Sequence, residues 1–247
     1  AIYDPCAPGS RLGTTRAQWD AAVAADPTLP GLLDGLHFHT LCEQDADALA
    51  VTLDAVADKF GDLLSKMQWL NFGGGHHITR PGYDMATLER CIHRAQADWG
   101  VTVYLEPGEA CALNAGYLLT RVLDVVQNGD TTIAILDASA ACHMPDVIEM
   151  PYRPPLLAAE EPCKKSCTVR LAGPTCLAGD VIGDYSFDVV PTVGDLLVFG
   201  DMAIYTTCKN NTFNGMPLPS IYAREPNGIM REIVTFGYSD FKHRVGK

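Results

Sequence analysis

Gly73, Gly74 and Gly75 interrupt an apolar run, Met67 to Phe72, and are followed by His76 and His77. The run reads as a buried strand that breaks into a loop. Glycine tolerates positive φ and lacks a Cβ, so a ligand can approach its backbone closely. Successive N–H groups in such a loop form a concavity suited to a phosphate. Cofactor sites at the C-terminal rim of α/β barrels are built this way; alone, the triplet is as readily a tight strand-to-loop turn. Glu106 stands where the run Val101 to Leu105 meets Pro107 and Gly108. A carboxylate there points into the mouth of a parallel α/β fold, or is a solvated loop acid. His37 and His39 lie two apart in Leu36–Leu41, a predicted strand, and so share a face. They are ordinary strand histidines or two ligands of a metal site, which His76 and His77 could complete. Cys176 and Asp180 fall in the turn-rich stretch 173–180, a tight turn with a small thiol or a reactive loop. Tyr205 lies in Met202–Thr207, read as β, ahead of the polar turn 210–215; such a tyrosine is often core with its hydroxyl satisfied.

The elements that must position these groups are legible in the spacing. Cys6 to Thr14 is a Gly/Pro-rich loop with one arginine, after which Thr15 caps a short helix with Gln18 at the capping-box position. From Asp45 to Met67, apolar residues at Leu49, Leu53, Val56, Phe60, Leu63 and Leu64 keep helical spacing. Met85 to Trp99 is a second helix, with Leu88, Cys91, Ile92 and Ala95 on its stripe. Strand–helix–strand–helix–strand order predicts parallel strands with helical crossovers, giving a first domain over residues 1–115. Three such strands are too few to close a barrel. Over 116–247 the texture becomes short β-rich runs between Gly, Pro, Asn and Asp clusters: 117–127, 131–137, 166–171, 196–199, 202–207 and 230–236. That predicts a mainly antiparallel second domain.

The chain has 247 residues, enough for a substantial core. Its net charge of −12 argues against nucleic acid and an acidic membrane surface, and suits a cationic small molecule. No apolar run approaches the roughly 20 residues that span a bilayer, and the start at Ala1 lacks the features of a secretion signal. Nine scattered cysteines fit reduced thiols in a cytoplasmic protein better than a disulfide framework. Cys163 and Cys167 are the closest pair, without a second Cys or His pair nearby to make a zinc site.

Taken in order, the glycine triplet, Glu106-Pro107-Gly108, Gly173-Pro174-Thr175-Cys176 and Tyr205-Thr206 followed by Thr212-Phe213-Asn214-Gly215 resemble the pyridoxal-phosphate decarboxylases of alanine-racemase-like fold. Ornithine, arginine and diaminopimelate decarboxylases belong to that group. His37 to Glu43, Asn71 to Thr79, Asp137 to Asp146, Glu149 to Pro154 and Gly179 to Phe187 are similar to the branch that decarboxylates carboxynorspermidine and carboxyspermidine in polyamine biosynthesis. The resemblance implies the C-terminal βα segments of a cofactor-binding (β/α)8 barrel followed by a β-domain, in a homodimer with shared sites. It implies that pyridoxal 5'-phosphate is held at its phosphate by the backbone of Gly73, Gly74 and Gly75 and by the Tyr205 hydroxyl. Glu106 would pair with the pyridinium nitrogen, keeping the electron sink protonated. His39 would stack on the ring, and Cys176, from the partner subunit, would donate a proton to the carbanion. Where ornithine decarboxylase has an arginine on the phosphate, this chain has Glu109, which suits a substrate ammonium. Glu109 and Asp146, then Glu149 and Asp180, are the expected acids for a substrate with several amines.

The lysine that the family joins to its cofactor is not matched by Lys59, Lys66, Lys164, Lys165, Lys209, Lys242 or Lys247. The first βα units are absent too. Ala1 therefore reads as a point inside a longer parent: a fragment, one chain of a split enzyme, or an incomplete record. The expectation is a chain that needs its missing half, since three parallel strands leave open edges. Rival readings are a diaminopimelate- or ornithine-type decarboxylase, a non-catalytic protein of the pyridoxal-phosphate fold or polyamine-binding protein, and a metal enzyme using His37, His39, His76 and His77.

Overall fold

The computed structural model describes residues 7–246; Cys6, the first residue of the predicted N-terminal loop, and Lys247 lie outside them. The chain divides into two compact units, Ala1–Leu113 and Asn114–Lys247.

In the first unit α1 (Arg16–Ala25) opens with the expected box: the Thr15 side chain accepts from the Gln18 N–H, and the Gln18 side chain from that of Thr15. Then follow β1 (Gly35–His37), α2 (Ala46–Leu64), β2 (Trp69–Asn71), α3 (Met85–Trp99) and β3 (Thr102–Tyr104). The three strands are parallel in the order β1-β2-β3, with Leu36 beside Leu70 and Leu70 beside Val103. Leu49, Leu53 and Leu64 of α2 and Leu88, Cys91 and Ala95 of α3 are buried with Leu70 and Phe72 in one core. The α3 helix starts where the Asp84 side chain accepts the Thr87 N–H and stops at Gly100, whose φ of 70° few other residues adopt. The strands are shorter than the apolar runs suggested. β1 ends at His37, so His39 stands in the loop after it and shares no strand face with His37.

The second unit comprises β4 (Leu118–Asn128), β5 (Thr131–Leu136), α4 (Ala140–His143), α5 (Asp146–Glu149), β6 (Cys167–Ala172), β7 (Val181–Phe187), β8 (Leu196–Phe199), α6 (Tyr205–Lys209), β9 (Ile221–Arg224), β10 (Met230–Val234) and α7 (Tyr238–Val245). Five strands form one sheet in the order β7-β6-β5-β4-β8; every neighbouring pair is antiparallel except β5 and β6. Val122, Leu136, Val169, Leu171, Ile182, Tyr185 and Phe199 fill its core. Tyr185 is buried with its hydroxyl donated to the Pro154 carbonyl (2.8 Å), and burial pushes its pKa well up. β9 and β10 form a separate antiparallel pair.

The stretch 202–207 is not a strand. Its β-branched residues suggested one, but Thr207 folds back: its N–H reaches the Ile204 carbonyl (3.1 Å) and its hydroxyl that of Met202 (3.2 Å). A short helix results, with Tyr205 as its first residue. Local hydroxyl-to-backbone bonds of this kind compete with a sheet ladder. Among the described residues no helix is long and apolar enough to cross a membrane.

Candidate active site

In the first unit the backbone ladder continues past the strands and draws three segments together at their C-terminal ends. Phe38 N–H reaches the Asn71 carbonyl (3.0 Å), Phe72 N–H that of Tyr104 (2.9 Å), and Glu106 N–H that of Gly73 (2.8 Å). The Phe38 and Phe72 rings stack beneath, with centroids 5.4 Å apart. The glycine triplet is therefore clamped, and each glycine has a steric reason. A Cβ on Gly73 would strike the Phe38 carbonyl, one on Gly74 the Glu106 carbonyl and the His39 ring, and one on Gly75 the Leu41 carbonyl. Gly73 and Gly75 also hold φ of 69° and 81°.

Two triplet N–H groups are already engaged. Gly73 donates to the Asn71 side-chain oxygen (2.9 Å) and Gly74 to His39 Nδ1 (3.0 Å). A phosphate held by those two groups would exchange with the side chains now on them. This qualifies the sequence-based picture of a ready-made cradle. Glu106 is fixed from both sides: Asn71 Nδ2 donates to Oε1 (2.8 Å), and His37 Nε2 lies 3.2 Å from Oε2. About half of its side chain remains exposed, so the carboxylate is oriented yet still open to a further donor.

Glu109 opens a short 3-10 turn just beyond. His77 Nε2 lies 3.2 Å from its Oε2, within ion-pair range but off the line of a hydrogen bond, for that nitrogen is buried without a hydrogen-bond partner. Glu43 completes a group with His77 and Glu109 and holds a φ of 53°, unusual for a residue with a Cβ. Burial, then the nearby Glu43 and Glu109 charges, push the Cys42 thiol pKa up. His76 is fully buried; its Nε2 donates to the Phe72 carbonyl (3.2 Å), and burial pulls its pKa down.

In the second unit Lys209 Nζ sits between Asp146 Oδ1 (2.5 Å) and Glu149 Oε2 (2.9 Å). Those bonds, Asp146 first, raise the lysine's pKa. The ammonium also lies 5.8 Å from the centre of the half-exposed Tyr205 ring. Two carboxylates on one ammonium leave a net negative charge at this place. Asp180 differs. It is 3% exposed and accepts from the Ser139 hydroxyl (2.9 Å), the Thr175 hydroxyl (2.7 Å) and the N–H groups of Thr175 and Ala141 (3.3 Å each). Sequence reasoning expected Asp180 among the substrate acids; here its carboxylate ties its own loop, 173–180, to the segment Ser139–Ala141. Cys176, at the tip of the loop Asp180 anchors, is exposed, with its N–H on Asn214 Oδ1 (3.0 Å).

The histidine quartet of the metal reading does not form. His37 turns to Glu106 and His39 to Gly74, and among the described residues only Glu43, His77 and Glu109 group as metal ligands. Cys163 and Cys167 are free thiols, the latter donating to the Phe187 carbonyl. Sequence reasoning gave Glu43 no role and His77 only a place in that quartet. The available signal was position: His77 follows the glycine triplet by two residues, and Glu43 stands four beyond His39.

A parallel-strand unit with an oriented rim carboxylate, followed by a mainly antiparallel sheet unit, defines a class. The family model described as pyridoxal-dependent decarboxylase, C-terminal sheet domain, matches residues 2–203, and the chain belongs to that family. It is 41% identical to a carboxynorspermidine/carboxyspermidine decarboxylase of Campylobacter jejuni, over 98% of this chain and 65% of the relative. It is 42% identical to a carboxyaminopropylagmatine decarboxylase of Synechocystis, over 99% of this chain and 62% of the relative. The crystal structure of the C. jejuni carboxynorspermidine decarboxylase complexed with norspermidine superposes with a TM-score of 0.83 at 40% identity, covering 97% of this chain and 66% of that one. The chain thus spans just under two thirds of the length of the curated relatives it matches.

Proposed function

We propose that this chain is the C-terminal part of a pyridoxal-phosphate decarboxylase of carboxynorspermidine and carboxyspermidine, with 1–115 as the end of its barrel and 116–247 as its β-domain. The carrying observation is Glu106, oriented by His37 and Asn71 with half its surface free. An acceptor so held suits a pyridinium N–H, and the clamped triplet beside it carries the Gly73 and Gly74 N–H groups that a phosphate could take over from Asn71 and His39. These residues fit the cofactor. When bound, it supplies the sink for the electron pair left on the substrate carbon as carbon dioxide departs.

The chain's own residues have separable tasks. Glu106 keeps the ring nitrogen protonated by accepting its hydrogen bond. Gly73 to Gly75, with the Tyr205 hydroxyl, hold the phosphate. His39, next to the triplet and released from the Gly74 N–H when the phosphate takes it, supplies a flat face for the ring. Cys176 of one subunit delivers the replacing proton to the carbon in its partner's site. Glu109 and Asp146, with Glu149, hold substrate ammonium groups. The lysine that anchors the cofactor belongs to a segment outside this chain. The enzyme is a cytoplasmic homodimer in this reading.

A second substrate is favoured by one observation: the carboxyaminopropylagmatine relative is as similar as the carboxynorspermidine one. Carbon dioxide release from the whole protein, measured with carboxynorspermidine, carboxyspermidine, carboxyaminopropylagmatine, diaminopimelate and ornithine, separates the cases. The highest kcat/KM is expected for one of the first two. Glu106→Gln should lower kcat about 100-fold with cofactor still bound. Preference for diaminopimelate or ornithine, or unchanged turnover in the variant, would overturn the proposal.

A further inference from the structure

Glu43, His77 and Glu109 come from three different segments: the loop after β1, the loop after the glycine triplet, and the turn after Pro107-Gly108. One donor atom from each lies within 4.8 Å of the others. Acids alone would make no site. The pointer is His77, whose side chain is 9% exposed and whose Nε2 is buried with no hydrogen-bond partner. That nitrogen lies 3.2 Å from Glu109 Oε2 without hydrogen-bond alignment. A buried imidazole nitrogen is costly to leave unsatisfied, and here it faces an acid that does not complete the bond.

A metal ion resolves this geometry. Two ligands at about 2.0–2.1 Å on a tetrahedral ion stand about 3.3–3.4 Å apart, close to the observed separation. We propose that Glu43, His77 and Glu109 form a binding site for a divalent transition-metal ion of the zinc class, with water in the fourth position. A neutral imidazole and two carboxylates carry a charge of −2, which the ion balances. Imidazole selects against magnesium and calcium, which prefer all-oxygen shells. The site is separate from Glu106, whose partners are His37 and Asn71; it takes Glu109 from the substrate acids named above, so that with the ion bound Asp146 and Glu149 hold the substrate ammonium groups.

Cobalt(II) tests it, because a nitrogen- and oxygen-ligated cobalt of low coordination gives visible d–d bands. The whole protein as isolated, holding its cofactor, is titrated with cobalt and then with zinc. One equivalent of cobalt producing such bands, and zinc removing them, is the expected result. His77→Ala should abolish the bands. Glu43→Gln, at an exposed position and therefore the safer variant for folding, should weaken cobalt at least 10-fold while leaving the circular dichroism spectrum unchanged. Absence of d–d bands in the parent protein, or equal affinity in the Glu43→Gln variant, would overturn the proposal.

Discussion

Residues 73–77 and 173–180 are both glycine-bearing loops that leave a strand and carry a group able to do chemistry, and they are built on opposite plans. In the first, the glycines pack against neighbouring backbone, side chains take up the Gly73 and Gly74 N–H groups, and the buried nitrogens His76 Nδ1 and His77 Nε2 lack partners. In the second, the buried acid Asp180 gathers its donors and the thiol of Cys176 is left outside. One loop holds its reactive groups in the interior and leaves them unsatisfied. The other spends its interior polar group on rigidity and presents chemistry at the tip. A buried polar residue is thus a scaffold where its bonds are complete and a functional candidate where they are not.

The sharpest way to break this contrast is at the glycines. Gly75→Ala places a side chain against the Leu41 carbonyl at a φ of 81°, so urea unfolding should show a loss of about 3 kcal/mol or more. Gly179 has open space and no such φ, and Gly179→Ala should change stability by less than about 0.5 kcal/mol. Equal costs would erase the distinction. Asp180→Ala, which strands donors of Ser139, Thr175 and Ala141, should cost about 3 kcal/mol, against about 1 kcal/mol or less for Asp146→Ala, whose lysine partner keeps Glu149.

Protonation gives a smaller effect. Burial holds His76 and His143 below the usual histidine pKa. The unfolded chain therefore binds protons that the folded chain resists. Stability from these groups is complete above the unfolded value of about 6.5 and declines as pH falls through it toward the lowered folded values. The urea midpoint should drop between neutral and mildly acid pH. His143→Gln should flatten that slope, since His143 Nδ1 already faces the Ser139 N–H (3.1 Å) and resists a second proton. The smallest stability effect is expected at the loop tip: Cys176→Ala should leave unfolding within about 0.5 kcal/mol while slowing decarboxylation by roughly 100-fold. A large stability loss there would make the thiol part of the scaffold.

Much of this was legible locally. Met85–Trp99 was read to the residue from its stripe, and the Asp84 cap and Gly100 stop seen in the structure bound the same span. The Thr15–Gln18 box formed as its spacing demanded, and the alternation of strands and helices gave the parallel order. What escaped depends partly on neighbours distant in sequence and partly on local groups that work against the pattern. Nothing around Asp180 announces that Ser139, some 40 positions away, will bury it. The Thr207 hydroxyl turned a β-like run into a helix around Tyr205. β7 was missed because Gly183 and Asp184 dilute its pattern, although its strand partner Arg170 pairs with Asp184.

The exceptional parallel pair, β5 with β6, has a consequence for how such a protein can change. Parallel neighbours cannot be joined by a tight turn, so the chain must travel back along the sheet before β6 begins. Residues 137–166 make that journey, and they carry Asp146 and Glu149. The acids proposed to hold substrate ammonium groups therefore ride on a detour whose length the sheet does not dictate. Insertions or deletions there can retune the charge and reach of that segment while every strand keeps its register.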